Sequence, residues 1–224
     1  MKHLRPHRLF ELVRTPDYRS RTAQIVMPDK DTPSLLDTAI LISLARLIQP
    51  RNFFEIGTFL GVQTLNMAAN IPSVDKIYTM DLGHEDTRSL QQQKEDAVLT
   101  VKHLENEKRL AFLGTPHESK IEQIFGNSNT YDFSRFHGQI DMVYIDGGHD
   151  LETLTNDTRN SFAMLSPNRP TCVAWHDYGH DFYPQVKTYL DELSVAKKIY
   201  HIEDTIMCFH LQNPPPGIAE QLDK

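Results

Sequence analysis

Two carboxylates and an imidazole stand at the ends of apolar runs in the segments "IDMVYIDGGHD" and "TCVAWHDYGHD", which close at Asp146 and at His176-Asp177. Such runs read as strands. Tips of neighbouring strands lie roughly 4.8 Å apart, so Asp146 and Asp177 can share one cation. Without one the two charges repel, and one carboxyl tends to hold a proton. Oxygen ligands alone suit magnesium, calcium or manganese; adding the His176 imidazole shifts the preference toward manganese, iron, cobalt, nickel or zinc. In the metal-free alternative, Asp177 caps the next helix and His176 packs under the loop. His149, three residues beyond Asp146, is a candidate base, because a neutral imidazole can take a proton from a hydroxyl near neutral pH. His180 and Asp181 are second-rank candidates for acceptor binding.

A second kind of chemistry is written in "FFEIGTFLGVQT", Phe53 to Thr64, where a strand-like run enters a turn with glycines at 57 and 61. Glycine tolerates positive φ and lets a ligand approach the main chain, and the helix that follows offers unpaired N–H groups to an anion. Phe59 stands where a dinucleotide-binding loop wants its second glycine, which argues against a nicotinamide or flavin dinucleotide. Asp81 ends the next strand candidate, 24 residues after Gly57, where a carboxylate accepts from ribose hydroxyls. The expected ligand is a nucleoside without a pyrophosphate.

The elements that must position these residues alternate in period. Leu36, Ile40, Leu44 and Leu47 or Ile48 recur at helical spacing between Thr32-Pro33 and Pro50. Strand candidates follow at Phe53 to Ile56, Lys76 to Asp81, Ile121 to Phe125, Ile140 to Ile145 and Thr171 to Trp175, with helical stretches from Glu95 to Leu113 and from Leu151 to Leu165. Alternation of this kind predicts an α/β protein with a doubly wound, mostly parallel sheet. Ala196 to His201 and Thr205 to Leu211 predict a terminal antiparallel hairpin. The reading gives an N-terminal arm at 1–31, one domain at 32–211 and a C-terminal tail at 212–224, a surface strap with Pro214-Pro215-Pro216.

Composition narrows the partners. The chain has 224 residues, 39% of them hydrophobic, and a formal charge of −7, which disfavours broad attraction to nucleic acid or an anionic membrane. Seven Lys/Arg stand against three Asp/Glu in residues 1–30, but no signal-like apolar block follows them. Ser43 and Arg46 interrupt the best apolar run, so no membrane span is expected. Cys172 and Cys208 lie in apolar runs and read as buried, reduced thiols, which fits a cytoplasmic protein.

"EIGTFLGVQT", "IYTMDL", "IFGNS", "IDMVYIDGGHD" and "VAWHDYG" occur in the order seen in class I S-adenosylmethionine-dependent methyltransferases. From about Thr32 to Leu211 the chain resembles bacterial small-molecule O-methyltransferases related to the macrolide-sugar methyltransferases and cephalosporin-hydroxylase-like proteins, and more distantly the catechol O-methyltransferases. That resemblance implies a seven-stranded sheet with an antiparallel last strand, and methyl transfer to the hydroxyl of a small-molecule acceptor. It places Glu55, Gly57, Thr58 and Gly61 near the methionine part of the cofactor, Asp81 at the ribose and Gly126-Asn127-Ser128 near the adenine. It assigns Asp146 to the cofactor and, with His176 and Asp177, to a divalent metal, and makes His149 the base. The chain departs from the family at Asn127, commonly aspartate, and at His176, commonly glutamate. Two rival functions are a non-catalytic binder of S-adenosylmethionine or S-adenosylhomocysteine and a methyltransferase of RNA or protein; a homo-oligomer is compatible with all three.

Overall fold

In the computed structural model, residues 1–13, 31–86 and 94–223 are described. One sheet organises the chain, with strand order β1-β7-β8-β6-β5-β2-β3-β4. Its centre is parallel: β2 (Asn52–Ile56) lies between β3 (Lys76–Asp81) and β5 (Met142–Ile145), β4 (Ile121–Phe125) flanks β3, and β6 (Thr171–Trp175) flanks β5. β8 (Cys208–Gln212) runs antiparallel to both β6 and β7 (Tyr200–Ile202), which is the terminal hairpin expected from the sequence.

Both faces of the central strands are covered, and their residues alternate between two cores. Phe53, Met142, Tyr144, Cys172 and Ala174 pack on one side with α2 (Leu35–Ile48) and α3 (Val62–Asn70). Phe54, Val143, Ile145, Val173 and Trp175 pack on the other with α5 (Leu151–Met164) and α6 (Pro184–Ala196). A side-chain period of two with apolar residues on both faces gives the near-continuous apolar runs seen in the sequence. Each large side chain buried this way contributes about 1.5–3 kcal/mol of transfer free energy. Cys172 and Cys208 are free and buried. No helix among the described residues is long and apolar enough to cross a membrane.

Several boundaries differ from the sequence reading. Residues 1–13 are not a surface arm: β1 (Lys2–Leu4) pairs in parallel with β7 as an eighth strand, and α1 (Pro6–Val13) buries Leu9 in the core. A three-residue strand is too short to show a period. The tail is likewise docked, since α7 (Ile218–Leu222) buries Leu222 and Asp223 meets Lys2 at 2.7 Å. α2 starts at Leu35 because Ser34 and Asp37 form a reciprocal capping box, displacing the expected start at Thr32-Pro33. α4 (Lys94–Asn106) stops short of Leu113; Leu110 and Phe112 serve a loop that packs on Leu65. Ala196 belongs to α6, so the hairpin opens later than read.

The chain leaves β2 toward β3 and β4 on one side, and returns through β5 and β6 on the other. The carboxyl ends of β2 and β5 therefore flank a topological switch point, where open α/β sheets place their ligands.

Candidate active site

A cavity of about 700 Å³ opens at that switch point. At its β2 end, Gly57 has φ +102° and Gly61 φ +72°. The reason for both is internal. A Cβ on Gly57 would stand 2.0 Å from the Asp146 carbonyl oxygen, and one on Gly61 2.8 Å from the Phe112 ring. The glycines thus let the main chain approach its own neighbours; Gly57 lines the cavity and Gly61 does not. Phe59 between them is also left-handed, at φ +48°. Its N–H donates to Asp81 Oδ2 at 2.7 Å, and the Leu82 N–H donates to Asp81 Oδ1 at 2.8 Å. Asp81 is therefore fixed in the cavity wall with lone pairs to spare for hydroxyl donors.

Glu55, expected beside the cofactor, lies beneath the turn rather than in the cavity wall. It is buried and accepts from the Thr64 and Thr79 hydroxyls, and burial pushes its carboxyl up to about 8. Thr58 does line the cavity; its hydroxyl shares a 2.7 Å hydrogen bond with that of Thr79. Farther along, Asn127 Oδ1 accepts from the Asn129 N–H at 2.9 Å, and the Ser128 carbonyl accepts from Asn156 Nδ2 at 2.8 Å. These bonds shape the 127–129 turn in the cavity wall and leave Asn127 Oδ1 a second lone pair.

The β5 and β6 ends are built from charge. His176 Nδ1 sits 3.1 Å from Asp146 Oδ1 and 3.0 Å from Asp177 Oδ2, between the two carboxylates that the sequence brought together without a basic partner. His149 Nε2 meets Asp177 Oδ2 at 2.9 Å, and its Nδ1 meets Asp96 Oδ1 at 2.8 Å. Tyr183 stacks on the His149 ring at 3.6 Å, and Tyr144 donates to Asp146 Oδ2 at 3.0 Å. Burial disfavours a charged His149, but the hydrogen bonds to Asp177 and Asp96 outweigh it and push the ring up to about 10. His176 is held well above the usual imidazole range: the charges of Asp146 and Asp177 overcome its burial. Asp177 is held well below the carboxylate range, because the charge of His176 and the bond from His149 overcome the same cost.

His149 is therefore not a free imidazole: both its nitrogens face carboxylates. The converging ligand set also differs from Asp146, His176 and Asp177: Asp146, His149 and Asp177 each offer one atom, all within 4.8 Å of one another. Two carboxylates and an imidazole whose far nitrogen is held by a third carboxylate fit a divalent transition ion. His180 also lines the cavity; Asp181 does not.

Sequence reasoning missed Asp96 and Asp37. Asp96 opens α4 and reaches His149 across 53 residues, a contact no local spacing reports. Asp37 lies 3.7 Å from His176 Nε2, and its capping-box pattern was the only sign of it. Asp37 Oδ1, Gln63 Nε2 and His176 Nε2 are buried without hydrogen-bond partners on residues that all line the cavity. A carboxylate oxygen and two nitrogens left in this way suit a ligand with both donors and acceptors.

Comparison with known proteins now has a geometry to meet. A family model described as a methyltransferase domain matches residues 54–178, which run from β2 to just past β6 and so contain both ends of the cavity. No curated protein matches the chain. Among solved structures, the chain is similar to the O-methyltransferase from Bacillus cereus in complex with SAH (16% identity, 82% of each chain, TM-score 0.53). It is also similar to TomG from Streptomyces achromogenes, an O-methyltransferase involved in tomaymycin synthesis, in complex with SAM (17% identity, 83% of this chain and 82% of that one, TM-score 0.52). Spermidine synthase from Thermotoga maritima shares the fold as well (13% identity, 81% of this chain and 62% of that one, TM-score 0.51). At these identities the likeness is one of fold, and that fold serves more than one reaction. With more than half of its length matched by one family model, and the cavity at the switch point inside that match, the chain belongs to the methyltransferase-domain family and has the class I S-adenosylmethionine-dependent methyltransferase fold.

Proposed function

We propose that this chain transfers a methyl group from S-adenosylmethionine to a hydroxyl of a small molecule. The observation that carries the reading is one cavity that has Asp81 in its wall at one end and the row Asp96–His149–Asp177 at the other; Asp81 would seat the nucleoside. Asp37, Gln63 and His176, with their unpartnered atoms, would take the ammonium and carboxylate of the methionine half. The sulfonium is already activated, so the gain comes from aligning the acceptor oxygen with the methyl group. In the metal-free form of the reaction His149 would take the hydroxyl proton at Nε2 while Asp96 holds Nδ1. Alternatively, Asp146, His149 and Asp177 would hold a divalent ion, which when bound supplies positive charge beside the acceptor hydroxyl and makes its proton easier to lose; His149 would then be a ligand and not the base.

The acceptor is unlike a nucleic acid. Among the described residues the cavity wall carries eight carboxylates and no Lys or Arg, a lining that repels phosphates. A non-catalytic cofactor binder is the second reading, favoured by the pairing of both His149 nitrogens. Calorimetry with S-adenosylmethionine, followed by a hydroxyl acceptor panel with and without added Mg²⁺, Mn²⁺ or Zn²⁺, separates the two. Cofactor binding with methylated product supports transfer; binding without product across the panel supports the binder; no binding removes both.

A further inference from the structure

α4 touches both ends of the cavity. Asp96 and His103 are seven residues apart on it, two helical turns or roughly 10 Å, and so share one face. Asp96 holds His149 at the acceptor end. His103 reaches the nucleoside end, where its Nδ1 lies 2.6 Å from the Phe59 carbonyl oxygen. A carbonyl only accepts, so Nδ1 is the donor and carries the hydrogen. The His103 side chain is 1% exposed, and its Nε2 has no partner.

This bond completes a clamp on a strained residue. Phe59 is left-handed without being glycine, a conformation that costs about 1–2 kcal/mol. Its N–H is spent on Asp81 and its carbonyl on His103, so the residue is held from both sides. Asp81 Oδ2 lies 3.7 Å from His103 Nδ1, so the ring stands beside the carboxylate as well as the Phe59 carbonyl. Without the His103 donor, Phe59 is free to relax to negative φ. Its N–H then leaves Asp81, and the carboxylate loses the bond that sets its rotamer.

We propose that His103 is a positioning residue for the cofactor's ribose, acting through Phe59 to hold Asp81 in the orientation that accepts the ribose hydroxyls. The inference rests on the reading of Asp81 as the ribose seat. It assigns the role to the Nδ1 hydrogen, so a side chain that keeps a donor there preserves function and an apolar one of similar size does not.

The test uses the full chain and titration calorimetry with S-adenosylhomocysteine, adenosine and 2′-deoxyadenosine. Wild-type protein should prefer adenosine to 2′-deoxyadenosine. His103→Leu should weaken S-adenosylhomocysteine roughly 10-fold, the worth of about 1.4 kcal/mol, and bring the ratio of the two nucleosides toward 1. His103→Asn, which keeps an amide donor near the Nδ1 position, should stay within about 3-fold of wild type, since a retained hydrogen bond loses little. Phe59→Gly in the His103→Leu background should restore the ratio, because glycine adopts positive φ without strain. A His103→Leu protein that melts lower yet keeps the wild-type ratio would overturn the proposal, as would His103→Asn behaving like His103→Leu. If His103→Leu does not fold, His103→Asn decides alone: a nucleoside ratio kept near that of wild type supports the proposal, and a ratio near 1 overturns it. Wild-type protein that binds S-adenosylhomocysteine but does not distinguish the nucleosides overturns the Asp81 seat; wild-type protein that does not bind it at all overturns the proposed function.

Discussion

The two ends of the cavity are held by different kinds of interaction. At the β2 end the structure is made of main chain: two glycines that admit neighbouring backbone and side chain, a left-handed Phe59, and a carboxylate that binds two N–H groups. At the β5 and β6 ends it is made of side-chain charge, with two imidazoles laced among Asp96, Asp146 and Asp177. The first end is held by close backbone packing, the second by contacts between imidazoles and carboxylates. Substitutions should therefore act on folding and cofactor affinity at the first end and on turnover at the second.

The strongest test of that division is Gly57→Ala. With φ at +102° and a Cβ 2.0 Å from the Asp146 carbonyl oxygen, it should cost about 4 kcal/mol or more in denaturant unfolding, the range of severe backbone and packing conflicts. A loss below about 1 kcal/mol would show that the two loops separate freely. Next comes Asp177→Asn, which removes the anion shared by His149 and His176. Turnover should fall by roughly 10²–10³-fold, the scale of a disrupted acid–base group, while calorimetry finds S-adenosylhomocysteine bound within about 3-fold of wild type. Equal losses of both would merge the two ends into one unit. Asp81→Ala should do the reverse, weakening that ligand by roughly 10²-fold through lost charge-assisted hydrogen bonds and leaving kcat at saturation nearly intact.

The smallest expected effect sharpens the contrast through pH. Glu55 lies under the β2 turn with its carboxyl raised from 4.5 to about 8 by burial. Its neutral form is the folded form, so its contribution to stability is complete below about pH 4.5 and is lost as pH rises through about 8. Glu55→Gln should flatten the decline in Tm between those values. Some slope should remain, because Asp157, raised to about 7 by burial, acts in the same direction. A wild-type Tm that climbs from pH 5 to 8 would contradict both.

Much of the fold was legible because it depends on local period. Strands β2 to β6, the α2 stripe and the closing hairpin all show apolar spacing that a window of a few residues can carry. β1 and α7 were not, since their stability comes from docking onto partners about 200 residues away, with Lys2 on Asp223 as the visible link. Gly57, Asp81, Asp146, His149 and Asp177, picked out by their place at strand ends, all line the cavity. Their surroundings were harder to read: the glycines serve internal packing, and His149 lies between Asp177 and Asp96, the second of which sits on a helix no motif connects to it. Spacing locates residues near a ligand, but a proton's location depends on every charge within a few ångströms.

The close approach of Gly57 to the Asp146 carbonyl carries a practical lesson for redesign. It seats the Gly57 turn on the Asp146 loop through backbone atoms, so under the proposed function the distance between methyl donor and acceptor would be held by main-chain packing rather than by any side chain. Phe182 and Val98, exposed residues of the cavity wall, would then be the positions to exchange for a different acceptor with that distance left unchanged.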